Sequence, residues 1–508
     1  MLEGILTGLS TAFTPMNLLM VVVGCFAGTF IGMLPGLGPI SAIALMIPIT
    51  YGFDPASGMI LMAGVYYGAI FGGSTSSILI NAPGVAGTVA TAFDGYPMAQ
   101  QGHAGKALAI AAVCSFSGGT IGAILLLVAA PALAKVALSF QSSDYMALMV
   151  LGLTAVSAFT APGQVLKALI ATVIGLMIST VGTDPSAGVQ RFTFGSLDLV
   201  DGVSFLLLAM ATFALSEALM TVLKRDEVSE AAVRATAGDL GSMRVTREEV
   251  REIIPVIGRS SILGFFVGVL PGAGATIASF LAYGAERTIA SATEKLKFGK
   301  GSIRGLAAPE TANNAACTGS FVPLLTLGIP GSGTTAVMLG ALISYGVQPG
   351  PRLFQNNPDV FWAVIISMYL GNVILLILNL PLIPYIARLL SLPRQILIPL
   401  ILFFSLIGVY LVSFNTFDIH MMAGFALAAI ILRLLDFPMA PLILGFILGD
   451  MIEDNLRRAL TISDGSIAFL WERPLTAVIF GLTILTLLAP LVRIIRQRRG
   501  AMLSGEGG

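Results

Sequence analysis

Long apolar stretches alternate with short polar ones along almost the whole 508-residue chain. About 20 consecutive apolar residues suffice to cross a bilayer as a helix. The apolar stretches lie near 17–35, 39–50, 57–80, 107–134, 145–160, 163–181 and 202–222, and then near 253–283, 305–345, 359–390, 396–414, 419–436, 438–452 and 474–495. Several are short or interrupted, so the pattern predicts roughly 11 to 14 membrane elements, some of them broken or re-entrant helices. The predicted fold class is an all-α polytopic membrane protein.

The interruptions recur as an internal repeat. The stretch GTFIGMLPGLGP (28–39) is followed 236 residues later by GFFVGVLPGAGA (264–275). The stretch GGSTSSILINAPGVAGT (72–88) is followed 247 residues later by GSFVPLLTLGIPGSGTT (319–335). A third correspondence, at a spacing of 270, aligns Gly175, Asp184 and Gly195 with Gly445, Asp454 and Gly465. The growing offset leaves room for one extra span in the second half, and 396–414 is the candidate for it.

Composition excludes several classes of protein. The chain is 56% hydrophobic and 11% charged, with no net charge. A soluble protein of this length needs more charge to cover its surface, and a nucleic-acid-binding protein needs a basic one. Cys25, Cys114 and Cys317 lie in apolar or glycine-rich stretches without metal-ligand spacing, and the two histidines stand alone, so neither a disulfide framework nor a histidine metal site is expected.

Positive charge is distributed unevenly, which predicts the orientation of the two copies. Residues 1–105 contain no Lys or Arg, whereas 223–252, 286–304 and the C-terminal end are rich in them. The positive-inside rule puts these three segments in the cytoplasm, so the two copies enter the membrane from opposite sides as inverted-topology repeats. The predicted organisation is an N-terminal membrane repeat (1–222), a cytoplasmic polar linker (223–252), a C-terminal membrane repeat with one extra span (253–495) and a cytoplasmic basic tail (496–508).

Each copy opens with a Leu-Pro-Gly break, at Pro35 and Pro271. Proline inside a membrane helix frees a carbonyl that protein or water must satisfy, and free carbonyls at helix ends bind ions. Gly36, Gly38, Gly272 and Gly274 are therefore candidates for ion binding. The glycines at four-residue spacing, 28, 32 and 36 and again 264, 268 and 272, equally fit close packing of helices in lipid. Both interpretations stay open.

Each copy closes with a polar loop centred on Pro-Gly. Backbone N–H groups at a glycine-rich turn that opens a helix make an anion site, and nearby hydroxyls add donors. A carboxylate would suit both loops, so the predicted substrate-binding residues are Ser74, Thr75, Ser76, Ser77, Asn81, Pro83, Gly84 and Thr88, with Pro330, Gly331, Ser332, Gly333, Thr334 and Thr335 from the second copy. Thr318 is a further ion-binding candidate. The competing interpretation is that such hydroxyls bond only to carbonyls of their own helix.

The run Ala308-Pro309-Glu310-Thr311-Ala312-Asn313-Asn314 is the most polar short segment of the second copy. Asn313 and Asn314 are predicted to bind substrate, and Glu310 to bind Na⁺ or a proton. The alternative places Glu310 at the cytoplasmic boundary, solvated or paired with Arg304. The first copy has Tyr66 and Tyr67 where the asparagines fall, so the two sites are not equivalent.

No catalytic constellation accompanies these residues. The sequence contains no HExxH, GxSxG, paired GxGD aspartates, Asp-rich diphosphate motif or Walker A motif, so we expect neither an enzyme nor a nucleotide hydrolase. No cofactor is predicted beyond Na⁺ or H⁺ as a coupling ion. Broken, glycine-rich membrane helices in two copies are typical of a transporter, and a passive channel for small organic anions is the alternative.

Three long motifs resemble those of the TctA family, the large membrane subunit of bacterial tripartite tricarboxylate transporters. They are GTFIGMLPGLGPISAIALMIPIT, YYGAIFGGSTSSILINAPG with FDGYPMAQQGHAGKAL, and APETANNAACTGSFVPLLTLGIPGSGTTAVMLGALISYGVQPGPRLF. The resemblance implies uptake of citrate or another organic carboxylate by symport with Na⁺ or H⁺ through alternating access, in the bacterial inner membrane. It also implies two partners, a small membrane subunit of the TctB type and a periplasmic binding protein of the TctC type.

Overall fold

Proline and glycine set the ends of many helices in this chain. A computed structural model describes residues 2–34, 37–158, 164–184, 187–223, 240–272, 274–386 and 394–503. Pro15, Pro39, Pro55, Pro351 and Pro358 each open a helix, where a missing backbone N–H costs nothing because that group has no partner inside the helix. These prolines explain why the hydropathy pattern is cut into so many pieces.

The helices of the first half are α1 (Leu2–Ala12), α2 (Pro15–Met33), α3 (Pro39–Thr50), α4 (Pro55–Ile80), a 3₁₀ turn (Ala86–Thr88), α5 (Val89–Met98), a π-helical turn (Ala99–His103), α6 (Ala104–Ala137), α7 (Ser142–Ala158), α8 (Val165–Ser179), a 3₁₀ turn (Leu197–Leu199), α9 (Phe205–Ala209), a π-helical turn (Met210–Leu215) and α10 (Ser216–Leu223). Two short antiparallel strands, β1 (Gly182–Thr183) and β2 (Gln190–Arg191), pair Gly182 with Arg191.

The helices of the second half are α11 (Arg247–Val269), α12 (Gly274–Ile289), α13 (Ala292–Lys295), α14 (Ile303–Gly319), α15 (Phe321–Leu327), α16 (Gly333–Ser344), α17 (Pro351–Asn356), α18 (Pro358–Asn379), α19 (Ile383–Ile386), α20 (Arg394–Ser413), α21 (Thr416–Leu434), α22 (Met439–Ile462), α23 (Phe469–Glu472) and α24 (Pro474–Leu503).

Within the described ranges, seven helical segments are long and apolar enough to cross a membrane. They are Pro15–Met33, Pro55–Ile80, Ala86–Ala137, Phe205–Leu223, Arg247–Val269, Pro358–Asn379 and Thr416–Leu434. Five shorter apolar helices accompany them among the described residues. The predicted fold class is confirmed: the protein is an all-α polytopic membrane protein.

The helices form two compact units. The first comprises Met1–Lys135 with Phe205–Ile430, and the second comprises Val136–Ser204 with Ile431–Gly508. Each half of the sequence therefore contributes to both units. All the predicted substrate- and ion-binding residues belong to the first unit.

Within the first unit, the repeated glycines make the same contacts in both copies. A methyl group at Gly28 would lie 2.7 Å from Cα of Val65, and one at Gly264 would lie 2.7 Å from Cα of Ala312. Val65 and Ala312 are themselves equivalent at the 247-residue spacing. These glycines let α2 pack closely on α4, and α11 on α14, as the small-residue interpretation predicts.

The leucines of the two Leu-Pro-Gly breaks also have the same local geometry. Leu34 ends α2 with φ −80° and ψ 118°, and Leu270 ends α11 with φ −75° and ψ 122°. In both, the backbone N–H of the leucine donates to the carbonyl three residues earlier, at 3.0 and 3.2 Å. The predicted break is therefore present in both copies, and the chain resumes as a new helix at Pro39 and at Gly274.

The second unit contains the third repeated motif. A methyl group at Gly175 on α8 would lie 2.8 Å from the backbone nitrogen of Phe446, and one at Gly445 on α22 would lie 3.2 Å from that of Leu176. Residues 176 and 446 are related by the same 270-residue spacing as the glycines. Reciprocal contacts of this kind arise at a two-fold axis, because each copy presents the same patch to the other.

Candidate functional site

The first polar loop is built by hydroxyl groups at the end of α4. Ser76 Oγ accepts a hydrogen bond from the backbone N–H of Gly84 at 3.2 Å, and Ser77 Oγ lies 2.8 Å from Thr88 Oγ1. Asn81, which is exposed, ends the helix in the left-handed region at φ 52°, a conformation that asparagine tolerates better than most residues. The serines thus fold the loop back onto the helix that precedes it.

The competing interpretation of these hydroxyls is correct in part. Ser74, Thr75, Ser76 and Ser77 each donate to a carbonyl of α4 three or four residues earlier. For Thr75 this is the one bond shown, with Phe71 at 3.4 Å. The three serines each have a second partner outside the helix backbone, so they link α4 to its surroundings as well.

The second polar loop is held by a capping box. Ser332 Oγ accepts from the backbone N–H of Thr335 at 3.2 Å, and Thr335 Oγ1 accepts from the N–H of Ser332 at 2.8 Å. Pro330 and Gly331 are buried in front of this cap, Thr334 is buried behind it, and Gly333 is half-buried as the first residue of α16. The loop therefore opens a 12-residue helix, the arrangement predicted for an anion site.

The glycine that follows each Leu-Pro-Gly break lies against the polar loop of its own copy. A methyl group at Gly38 would lie 3.7 Å from the carbonyl oxygen of Gly84, and one at Gly274 would lie 3.9 Å from Cβ of Ser332. The N–H of Gly272, at φ 80°, also donates to the carbonyl of Gly331 at 3.1 Å. Gly36 lies outside the described residues. The glycine candidates for ion binding are thus brought next to the substrate-binding candidates.

The two copies meet through crossed contacts. A methyl group at Gly87, in the first loop, would lie 2.6 Å from Oδ1 of Asn313 on α14. Conversely, Ser332 Oγ, in the second loop, lies 3.4 Å from the hydroxyl of Tyr66 on α4. Tyr66 is equivalent to Asn313 at the 247-residue spacing. Each loop therefore contacts the same position on the long helix of the other copy.

Asn313 is the most unusual polar residue of this region. Its side chain is 0% exposed, and neither its Oδ1 nor its Nδ2 has a hydrogen-bond partner among the described residues. Asn314 donates through Nδ2 to the carbonyl of Glu310 at 3.0 Å, while its Oδ1 has no partner there. Buried amide groups without partners are rare in folded proteins and call for an explanation. Both side chains fit a role in recognising a polar ligand.

Aromatic rings line the equivalent positions of the first copy. Tyr66 and Tyr67 stack with their ring centroids 6.0 Å apart, and Phe321 of the second copy lies 5.9 Å from Tyr67. The buried hydroxyl of Tyr67 also has no partner among the described residues. The two copies thus make equivalent contacts here, but the first copy presents the aromatic Tyr66 and Tyr67 where the second presents Asn313 and Asn314, so the two sites are not equivalent, as the sequence predicts.

Glu310 lies one turn before Asn313 on α14 and is fully buried. Its carboxyl group is bonded by three hydroxyls: Ser74 at 2.8 Å, Ser115 at 2.8 Å, and Thr91. The alternative of a solvated Glu310 paired with Arg304 is wrong, because Arg304 pairs instead with Glu286 and Glu294. Thr318, about two turns after Glu310 on the same helix, bonds back to the carbonyl of Asn314 at 3.2 Å.

Sequence reasoning missed Thr91, Ser115 and Asp94. Asp94 is 0% exposed, and its Oδ1 accepts from the backbone N–H groups of Gly299, Gly301 and Ser302 at 2.8, 2.9 and 2.7 Å. Oδ2 accepts from the hydroxyl of Tyr283 at 3.0 Å. The available signal for this anchor was that Asp94 is the one acidic residue in the sequence between Asp54 and Asp144. The polar segment 286–304 is therefore fastened to α5.

The second unit contains a polar cavity of its own, with a volume of about 340 Å³. Its lining includes the repeated pair Asp184 and Asp454 together with Asp450, Arg191 and Arg457. Arg457 Nη2 lies 2.6 Å from Asp184 and 2.6 Å from Glu453. Arg191 also lies 2.9 Å from Glu453, so both arginines of the lining are paired with acidic side chains.

The sequence matches a known protein family and two relatives. The family model described as "Tripartite tricarboxylate transporter TctA family" matches residues 18–444. An Agrobacterium vitis protein described as "Uncharacterized 52.8 kDa protein in TAR-I ttuC' 3'region" is 42% identical over 499 residues, which is 98% of each chain. A second, described as "Uncharacterized protein in TAR-II ttuC' 3'region", is 41% identical over 236 residues, covering 46% of this chain and 97% of that protein. No solved structure matches.

Proposed function

Because the chain belongs to the TctA family, the large subunit of tripartite tricarboxylate transporters, we propose that it takes up tricarboxylates or related organic carboxylates by symport with Na⁺ or H⁺. Transport proceeds by alternating access, with the substrate held between the two Pro-Gly loops. The crossed contacts of these loops, Gly87 with Asn313 and Ser332 with Tyr66, carry this proposal.

The chemistry of the region suits a carboxylate. The capping box of Ser332 directs the N-terminus of α16 toward the loop, and a helix N-terminus favours negative charge. The amide nitrogen of Asn313 is a buried donor without a protein partner among the described residues. A substrate carboxylate would accept from both, and the aromatic cluster of Tyr66, Tyr67 and Phe321 would border its apolar part.

The reciprocal contacts support alternating access. Two copies related by a two-fold axis in the membrane plane expose equivalent surfaces to opposite sides, so a modest rocking motion exchanges the open side. The distribution of Lys and Arg favours an axis in this plane, with 223–252 and the C-terminus in the cytoplasm of a bacterial inner membrane. In the same proposal, residues 1–222 and 253–495 are the two membrane repeats, and 496–508 is the cytoplasmic tail.

Two partners follow from the family. A TctB-type subunit would lie beside this chain in the membrane, and a TctC-type periplasmic protein would deliver the substrate. Binding-protein-dependent delivery gives directional uptake at low substrate concentration, which a passive channel does not provide.

Uptake by the reconstituted protein tests the proposal. The full chain, with its small membrane subunit and binding protein, is placed in proteoliposomes and supplied with radiolabelled citrate, succinate, malate and tartrate under an imposed Na⁺ or proton gradient. We expect accumulation above the external concentration that stops when the gradient collapses. Equilibration without accumulation would show a passive channel instead, and the absence of any carboxylate movement would refute the proposed function.

Asn313→Ala tests the site within this assay. Losing one hydrogen bond to a charged ligand should lower uptake roughly 10- to 100-fold. Thermal stability should stay nearly unchanged, because the amide has no partner among the described residues to lose. The matched control is Asn379→Ala, which removes another buried asparagine whose Oδ1 is also without such a partner. Normal uptake by Asn313→Ala, or equal loss by both variants, would remove Asn313 from the substrate site.

A further inference from the structure

The carboxyl group of Glu310 joins the two copies of the repeat. It belongs to α14 of the second copy, while its three hydroxyl partners lie on α4, α5 and α6 of the first half of the chain. Ser74 Oγ lies 2.9 Å from one carboxyl oxygen and 2.8 Å from the other. Thr91 bonds the first oxygen and Ser115 the second. Both oxygens are thus fully engaged by hydroxyls.

The partners of Glu310 differ in kind from those of the other buried acids of this unit. Oδ1 of Asp94 is bonded by three backbone N–H groups, which can only donate and therefore require an acceptor. Glu286 is paired with two guanidinium groups, which keep it ionised. A hydroxyl both donates and accepts, so it can bond a carboxylate or, after rotation, a neutral carboxylic acid. Glu310 is therefore surrounded by groups that tolerate either protonation state.

No positively charged side chain among the described residues is paired with Glu310 to hold it in the ionised form. Among the described residues, no Lys, Arg or His forms an ion pair with Glu310, and the titratable groups that face it are the buried thiols of Cys114 and Cys317. Removing a lone carboxylate from water is unfavourable. The hydroxyls of Thr91 and Ser115 recover part of that loss by donating to the carboxyl group, whereas the single O–H of Ser74 is shared between this group and the carbonyl of Ile70. The balance shifts toward the neutral acid when the cluster is dry and toward the anion when water enters.

A proton fits this site better than Na⁺. The oxygens of Ser74 and Ser115 lie at hydrogen-bond distance from the carboxyl oxygens. A cation would have to separate these groups, whereas a proton binds a carboxyl oxygen with only a rotation of a hydroxyl.

We infer that Glu310 is the proton-carrying group of the transport cycle, an inference that rests on the proposed symport. A proton from water on one side of the membrane forms an O–H bond with a carboxyl oxygen of Glu310 as the cluster closes. The same bond breaks, and the proton returns to water, when the cluster opens to the other side. Asn314, whose side chain bonds the Glu310 carbonyl, and the neighbouring Asn313 tie this step to the substrate loops.

Infrared spectroscopy of the purified full chain tests the protonation state without any substrate. At neutral pH the wild type should show the carbonyl stretch of a buried protonated carboxylic acid, with the small shift that deuterium exchange gives. Glu310→Gln should lack this band. The matched control is Glu248→Gln, the same change at an exposed position at the start of α11, which should retain it. Absence of the band from the wild type, or its persistence in Glu310→Gln, would overturn the inference.

Transport then tests coupling, with the same four radiolabelled carboxylates as probes. Glu310→Gln should retain substrate counterflow within about threefold, because exchange needs no net proton movement, and should lose proton-driven accumulation at least about tenfold. Glu248→Gln should behave as the wild type. Accumulation driven by Na⁺ alone in the wild type, or by a proton gradient in Glu310→Gln, contradicts the role of Glu310. Failure of the wild type to move any carboxylate would refute the proposed function, while the infrared result still decides the protonation of Glu310.

Discussion

Replacing Asp94 by alanine should release the segment 299–302 from α5. Oδ1 of Asp94 accepts three backbone N–H bonds, and hydrogen bonds to a charged group contribute about 1.5–3 kcal/mol each. Gly299 is exposed and Gly301 half-buried, so their N–H groups can bond to water after the change, whereas Ser302 is buried. We therefore expect a net loss of about 3–5 kcal/mol, well below the sum of three full bonds.

Amide hydrogen exchange measured by mass spectrometry reports this loss locally. Because 1.4 kcal/mol corresponds to a factor of ten, exchange in peptides that cover 299–302 should accelerate at least about 100-fold. Asp94→Asn keeps one acceptor oxygen and should give a clearly smaller effect. The matched control, Asp359→Ala, removes an exposed aspartate from the first turn of α18 and should leave this segment unchanged. Unchanged protection of 299–302 in Asp94→Ala would refute the reasoning.

Two further changes probe packing and charge. Gly268→Ala should destabilise the protein by about 1–3 kcal/mol in a thermal unfolding assay, because the added methyl group would lie 2.6 Å from a backbone atom of α14. The control is Gly424→Ala, whose methyl group would face open space and which should be neutral or stabilising in the same assay. Burial opposes ionisation of Glu286, but hydrogen bonds and charges from Arg259 and Arg304 outweigh it and lower the pKa of this carboxyl below its ordinary 4.5. The ionised carboxylate therefore contributes its full stabilisation above pH 4.5, and this contribution is lost as the pH falls through the lowered pKa. The difference in melting temperature between the wild type and Glu286→Gln should be largest near pH 7 and should shrink below pH 4.5. A difference that grows on acidification would contradict this assignment.

Hydropathy and self-similarity were sufficient to predict the membrane fold and the repeated broken helices. Apolar length reports burial in lipid directly, and glycine at four-residue spacing reports close helix packing, as the contacts of Gly28 and Gly264 confirm. Both signals can be read from short segments of the sequence. The inversion of the repeats concerns which side of the membrane each copy enters from, and it stays a prediction from the distribution of Lys and Arg.

The partners of Glu310 could not be predicted in the same way. Ser115 and Thr91 lie 195 and 219 residues away from it in the chain, in stretches with no distinguishing motif. A serine or threonine in an apolar helix usually bonds to its own backbone, as Thr75 does, so its presence alone carries little information about tertiary partners. Only the three-dimensional packing of α4, α5, α6 and α14 selects the hydroxyls that reach the carboxyl group.

The repeat is symmetric in its packing but not in its acid chemistry. The loops, the breaks and their crossed contacts occur in both copies, yet the position equivalent to Glu310 in the first copy is Ala63, a buried residue that cannot titrate. Duplicated loops suit a substrate that must be held equally well from both sides of the membrane. A single carboxyl group, by contrast, carries at most one proton in each cycle. If Glu310 couples transport as inferred, this site contributes one proton per substrate, and any further coupling ion must use a separate set of ligands.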